Sequence, residues 1–133
     1  MFASYLPPLI GYFSYLASGV AMLIVFAMLY IKITPYDELK LIREGNVAAA
    51  LSLAGALIGF SLALASSAWH LNRLEFFLIW GALAGVVQIG VYAFLVKCIK
   101  GMPAQIAANN VAVGILAGCI SVAVGVINAG CLS

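Results

Sequence analysis

Four long apolar runs, none with a charge in its interior, constrain this chain more than any motif it carries. They cover residues 9–31, 46–69, 76–96 and 111–132. A helix needs about 20 apolar residues to cross a hydrocarbon core about 30 Å thick, and each run is long enough. No alternation of apolar and polar residues at period 2 points to barrel strands. Composition agrees: 66% of the residues are apolar and 8% charged, where a soluble domain carries charge on about a quarter. The expected fold is an all-α membrane protein, with residues 1–133 forming a single domain of four transmembrane helices in a lipid bilayer. The N-terminal stretch Met1-Phe-Ala-Ser-Tyr-Leu-Pro-Pro lacks the basic region of a cleaved signal, so the first run is read as a retained helix.

Charge sets the expected orientation. The loop 32–45 carries Lys32, Lys40 and Arg43, and the loop 97–110 carries Lys97 and Lys100. The link between the second and third runs carries only Arg73, so five of the six basic residues fall on one face. By the positive-inside rule that face is cytoplasmic and both termini are extracytoplasmic. Tyr5, Trp69 and Trp80 would mark the outer boundary, and Tyr30 and Tyr36 the inner one. Within the first loop, Thr34 reads as an N-cap, Pro35 as the first helical residue and Asp37 as the acid three after the cap. This predicts a short interfacial helix over 35–43, with Tyr36, Leu39, Leu41 and Ile42 on its apolar side and Asp37, Glu38 and Arg43 exposed. In the second loop, Gly101 reads as a breaker and Pro103 as a helix start.

The halves 9–69 and 73–132 resemble each other at an offset of 64 residues. Asn46-Val-Ala answers Asn110-Val-Ala, Ile42 answers Ile106, Phe13 answers Phe77, and Ile58 and Leu62 answer Val122 and Val126. Each half is helix, loop, helix in the same sense, which predicts two parallel two-helix repeats about an axis along the membrane normal.

Small residues mark where helices approach in lipid. The second run has Gly55, Gly59, Ala63 and Ser67 at spacing four. The fourth has Ala117, Ser121, Gly125 and Ala129 at that spacing, and Gly114 with Gly118. These two runs are expected to pack against each other at the centre, with Gly81 and Gly85 opening the third. Ser61, Gln88 and Ser121 lie near the midpoints of their runs and form a candidate polar layer. That layer serves either as hydrogen-bond glue between helices or as the lining of a substrate path.

Other chemistries find little support. The net charge is +2 and no basic stripe suggests nucleic acid. Cys98, Cys119 and Cys131 fit neither a zinc site nor a disulfide framework and read as buried apolar thiols. His70, the single histidine, reads as a solvated interface residue. No nucleophile–base pair, metal cluster or phosphate-cradling loop suggests an enzyme, and no cofactor is expected.

One resemblance stands out. Lys32-Ile-Thr-Pro-Tyr-Asp-Glu, Leu41-Ile and Asn46-Val-Ala-Ala-Ala-Leu look like the signature of the YjfL family of small bacterial inner-membrane proteins, a domain of unknown function. Gly55 with Gly59, Ser66-Ser67-Ala68, Trp80-Gly81, Gln88, Asn110 with Gly114, and Asn128-Ala129 with Cys131 extend it over almost the whole chain. The resemblance implies a four-helix protein of the bacterial inner membrane. It also implies a genetic neighbourhood of envelope-stress and ATP-grasp ligase proteins.

Two functions fit these features. The first is a homo-oligomeric, channel-like or small-molecule transport unit, with any path lying between protomers or on the repeat axis. The second is a membrane scaffold that recruits a cytoplasmic envelope-stress partner through loop 34–45. The expected orientation has a direct test. Alkaline phosphatase fused after Ser133 should be active in a Gram-negative host, and an inactive fusion beside an active cytoplasmic reporter would reverse the topology.

Overall fold

A computed structural model describes the backbone of residues 6–70 and 73–132, and the side chains of 8–69 and 73–132. Tyr5 and the His70 side chain, both singled out in the sequence, lie outside the described residues. Four long helices form a bundle: α1 (Leu6–Ile33), α3 (Val47–His70), α4 (Leu74–Cys98) and α6 (Val111–Cys131). Each is long and apolar enough to span a membrane. Two six-residue helices, α2 (Glu38–Arg43) and α5 (Met102–Ala107), precede α3 and α6 at one end. This end also carries Lys32, Lys40, Arg43, Lys97 and Lys100, and is called the basic end below.

The bundle is built on the pairing of α3 with α6, its most extensive helix contact. A β-carbon on Gly55 would land on the backbone of Gly118, and one on Gly125 on the backbone of Gly59. One on Gly118 would sit 2.5 Å from the Leu51 carbonyl oxygen, and one on Gly114 2.6 Å from the Ala48 Cα. The two backbones therefore touch along most of their length, which lipid-embedded helices achieve only through small residues. Helix α4 packs against both members of this pair, and α1 packs on α3 and α4. Aromatic contacts seat α1: Phe26 stacks on Phe60 with centroids 4.5 Å apart, and Tyr15 tilts against Phe77 at 5.1 Å. Gly81 admits the Met22 side chain, and Gly85 faces Phe60. Most of the large side chains of α1 remain exposed, as expected of a surface that meets lipid.

The ends of the helices are fixed by identifiable groups. Thr34 does not cap the loop helix. Its hydroxyl donates to the Ile31 carbonyl at 2.8 Å and completes α1 instead, as Ser and Thr hydroxyls commonly do with the preceding turn. The cap is Asp37, whose carboxylate accepts from the Lys40 N–H at 3.3 Å, so α2 starts at Glu38 rather than at Pro35. A carboxylate is the better acceptor at a helix N-terminus because it also meets the positive end of the dipole. Gly45 (φ +88°) and Asn109 (φ +64°) turn the chain out of α2 and α5. Asn46 and Asn110 then cap α3 and α6 through the N–H groups of Ala49 (2.8 Å) and Val113 (3.4 Å).

Two expectations are corrected by this packing. Cys98, Cys119 and Cys131 are exposed rather than buried, because each lies on a helix face that no neighbour covers. Tyr30 is buried inside the bundle and not spread along a boundary, since its ring meets Tyr92 edge-on at 5.3 Å. Trp69 and Trp80, at the opposite end, are exposed.

The backbone contact leads to a stability prediction. Gly118→Ala and Gly125→Ala should each destabilise the detergent-solubilised protein by about 1–3 kcal/mol, the usual cost of overpacking a closed contact. Gly90→Ala, where no atom lies within 4 Å of the added carbon, should be neutral or stabilising. Equal thermal unfolding of all three variants would mean that α3 and α6 are not held at backbone contact.

Candidate functional site

The basic end holds the densest polar arrangement in the described chain. Asn46 joins the two loops. Its side-chain Nδ2 donates to the carbonyls of Ile106 (3.0 Å) and Ala107 (3.2 Å), while its Oδ1 caps α3. Asn109 makes the complementary tie, accepting from the Ala48 N–H at 3.1 Å. Loops that are far apart in sequence are thereby fastened into one surface.

Under that surface lies Glu38. It occupies the first turn of α2 and is 0% exposed, whereas the sequence reading placed it among the exposed charges of the loop. The reason lies in helical spacing. Residues three and four apart share a face, so Glu38 lies on the same side as Leu41 and Ile42, and that side docks on the bundle. Met102, its counterpart 64 positions on, is equally buried at the start of α5. That apolar counterpart and the i, i+3, i+4 spacing are the two signals that could have located the acid.

The surroundings of Glu38 are aromatic and hydroxylic. The hydroxyls of Tyr30, Tyr36 and Tyr92 all feel its charge. Tyr30 Oη and Ser52 Oγ share a hydrogen bond of 3.3 Å beside it. Both Glu38 carboxylate oxygens and the hydroxyls of Tyr36 and Tyr92 are buried without a hydrogen-bond partner. Burial pushes the Glu38 carboxyl up to about 7. The nearby Tyr36 hydroxyl opposes that rise, although no hydrogen bond of full geometry closes between them. Burial, followed by the Glu38 charge, pushes the Tyr36 hydroxyl well above the usual phenol range. An acid of this kind is a protonatable group at neutral pH, which the uncharged interiors of the four spans do not themselves supply.

The other candidate residues fall as follows. Asp37 and Arg43 are exposed; Arg43 Nε donates to the Leu39 carbonyl at 3.3 Å. Leu39, expected on the apolar side of the loop helix, is exposed as well. Gln88 and Ser121 meet inside the bundle, where Gln88 Nε2 donates to the carbonyls of Ser121 (3.2 Å) and Ala56 (3.5 Å). Gln88 Oε1 is buried there without a partner. Ser61 does not join them. It bonds its own helix at Leu57 (2.8 Å) and lines a separate groove between α1 and α3. Gly55, Gly59, Gly118 and Gly125 lie in the α3–α6 contact. A larger, almost wholly apolar groove of about 530 Å³ runs between α1 and α4 beside Met22, Phe26, Phe60 and Val86. No group of three or more His, Cys, Asp or Glu that could hold a metal occurs among the described residues.

The site gives a pH dependence whose sign follows from proton linkage. With its carboxyl raised from 4.5 to about 7, the folded protein holds a proton that the unfolded chain releases. That contribution to stability is complete below about pH 4.5 and is lost as pH rises through 7. Melting temperature should therefore fall from pH 5 to pH 8. Glu38→Gln should flatten that slope, and a variant with an unchanged slope would remove Glu38 as its source.

Comparison with known proteins agrees with this architecture. The inner membrane protein YjfL of Escherichia coli K12 is 34% identical over 128 residues, covering 96% of this chain and 97% of its own length. The YjfL protein of Escherichia coli O157:H7 matches to the same extent. No solved structure matches. The family model described as Domain of Unknown Function, DUF350, matches residues 3–132. With that match over nearly its full length, this multi-pass inner-membrane protein belongs to the DUF350 family, the family of YjfL.

Proposed function

We propose that the protein is a membrane platform, with the basic end facing the cytoplasm and presenting a fixed surface to a soluble protein partner. The observation that carries this reading is the fastening of both loops. Asn46 and Asn109 bond one loop to the other, and Glu38 is sunk beneath α2. A mere link between spans needs neither. Held in this way, α2 presents Asp37, Leu39, Lys40, Arg43 and Glu44 outward, and charged surfaces of fixed shape suit recognition. The five basic residues at this end support its cytoplasmic placement and extracytoplasmic termini.

The repeat belongs to the same reading. Gly45 and Asn109, Asn46 and Asn110, and Glu38 and Met102 hold matching positions 64 residues apart with matching roles in turn, cap and burial. A groove of about 300 Å³ on the α3–α6 seam is lined by pairs at the same offset: Leu51 with Ile115, Ala54 with Gly118, Gly55 with Cys119, Ile58 with Val122. This supports two repeats about an axis through the seam. Helix α4 packs on both seam helices, whereas α1 packs beside α4. A second copy of the chain is the occupant we assign to the open groove, making the unit a homo-oligomer. Cys119 lies on it and is exposed. With Cys98 and Cys131 replaced by serine, oxidation in the membrane should therefore join two copies through Cys119. A monomer under those conditions would leave the groove to lipid.

The channel reading keeps one supporting observation, the unpartnered Gln88 Oε1 at mid-bundle. The platform is favoured because the amide of that side chain is spent on backbone carbonyls. A combined experiment separates the two. Asp37→Asn, which retains the cap, together with Arg43→Glu should abolish crosslinking to a soluble partner in intact cells. Stability should change by no more than about 1 kcal/mol, as for other exposed charges. The wild-type protein in liposomes should pass solute no faster than empty vesicles. Retained crosslinks with measurable flux would replace the platform by a channel.

A further inference from the structure

The acid under α2 has no counter-charge. Among the described residues, Asp37, Glu44 and Glu75 are exposed, and Arg73 pairs with Glu75. Glu38 alone among them carries its carboxylate inside. The ionisable groups that reach it are hydroxyls: Tyr30 from α1, Tyr36 from the segment before α2, and Tyr92 from α4. Helix α3 contributes Ser52, which does not titrate in this range and is held by Tyr30. On α2 itself, Asp37 is engaged in capping, and Lys40 and Arg43 point outward. No Lys, Arg or His contributes to the field on Glu38 among the described residues.

Four oxygens in this cluster, two from Glu38 and one each from Tyr36 and Tyr92, are buried without a hydrogen bond of full geometry, and the Tyr36 hydroxyl lies near both of the other side chains. Tyr92 is 5% exposed and Glu38 0%, so solvent does not satisfy them. They arrive from two stretches of chain, the loop that holds Tyr36 and Glu38, and α4 with Tyr92. Carboxylate and hydroxyl oxygens are hard donors, the kind that bind ions coordinated through oxygen. The cluster offers one negative charge at most. A divalent ion would leave an uncompensated positive charge in a buried site, and an ionised carboxylate with nothing bound would leave a negative one. One unit of positive charge balances it.

We propose that Glu38, Tyr36 and Tyr92 form a binding site for a single monovalent cation at the basic end of the bundle, filled by a proton or by a small alkali ion. Either occupant ties α2 and the segment before it to α4, because the oxygens it satisfies belong to those regions. The site does not rest on the platform reading and stands whether or not α2 recruits a partner.

The test uses the full-length protein in detergent. Its melting is followed in sodium, potassium or choline chloride at equal ionic strength, at pH 5.5 and pH 8. For an alkali ion, sodium or potassium should raise the melting temperature by several degrees over choline at pH 8. The three salts should coincide at pH 5.5, where the proton holds the carboxylate. Tyr92→Phe, which removes one oxygen and keeps the ring, should raise the half-saturating alkali concentration several-fold. For a proton, the salts should coincide throughout while infrared spectra show a carboxylic C=O band that disappears between pH 5.5 and pH 8. In both cases Glu38→Gln should abolish the response. The proposal is overturned if the wild-type protein responds to neither salt nor pH, or if the response survives in Glu38→Gln. Should that variant fail to fold, the Tyr92→Phe titration and the wild-type infrared band decide. A carboxyl band gone already at pH 5.5, with no alkali effect at pH 8, overturns it too.

Discussion

Everything in this bundle leans on the backbone contact between α3 and α6. Lipid chains are as apolar as leucine, so burial from water does not press these helices together. What remains is close packing, and it requires that nothing larger than hydrogen stand at Gly55, Gly59, Gly114, Gly118 and Gly125. Once the pair is closed, it offers a shallow trough to α4. Gln88 reaches from α4 to carbonyls of both partners, Ala56 on α3 and Ser121 on α6. Helix α1 then rests on α3 and α4 through aromatic rings and through Met22 seated at Gly81. The order of contact quality, glycine seam, amide bridge and aromatic edge, is also the order in which each helix depends on the others.

Much of this architecture is legible in the sequence because membranes simplify the problem. Length and apolarity alone locate four spans, and the observed helices differ from the expected ones by a few residues at their ends. The four-residue spacing of small residues shows which faces allow close approach. The resemblance carried by the Lys32–Glu38 segment and the Asn46-Val-Ala-Ala block points to the family to which the chain belongs. The loops are read less well, and for a physical reason. Thr34 and Asp37 are both competent caps, and only the tertiary setting decides that one closes α1 and the other opens α2. Glu38 reads as exposed in the sequence because a charge in a loop is ordinarily solvated. The docking of α2 on the bundle overrides that rule, and loop composition does not reveal the docking. Ser61 and Gln88 sit at similar depths, yet depth says nothing of direction, and only Gln88 points into the bundle.

The two halves make the contrast sharper. At matching positions in α2 and α5, one chain segment buries a carboxylate and the other the thioether of Met102. The turns that leave α2 and α5 and the caps of the helices that follow are alike, but the entries differ: Asp37 caps α2 with its side chain, whereas a left-handed Gly101 precedes α5. A methionine fills such a space without electrostatic demand. The acid imposes one, and the Tyr36 hydroxyl beside it opposes the cost of its burial.

The seam has a consequence for how the protein is made. Its two helices are separated by a third span and two loops, and α6 is synthesised after α1, α3 and α4. Until it enters the bilayer, α3 exposes a glycine-lined face to lipid and α4 has only half of its trough. The earlier spans satisfy their own backbones and are individually stable in the membrane, so insertion need not wait. Assembly must. A chain arrested before α6 would hold three correctly threaded helices with the central contact missing, and membrane quality control would meet a protein complete in topology but without its core.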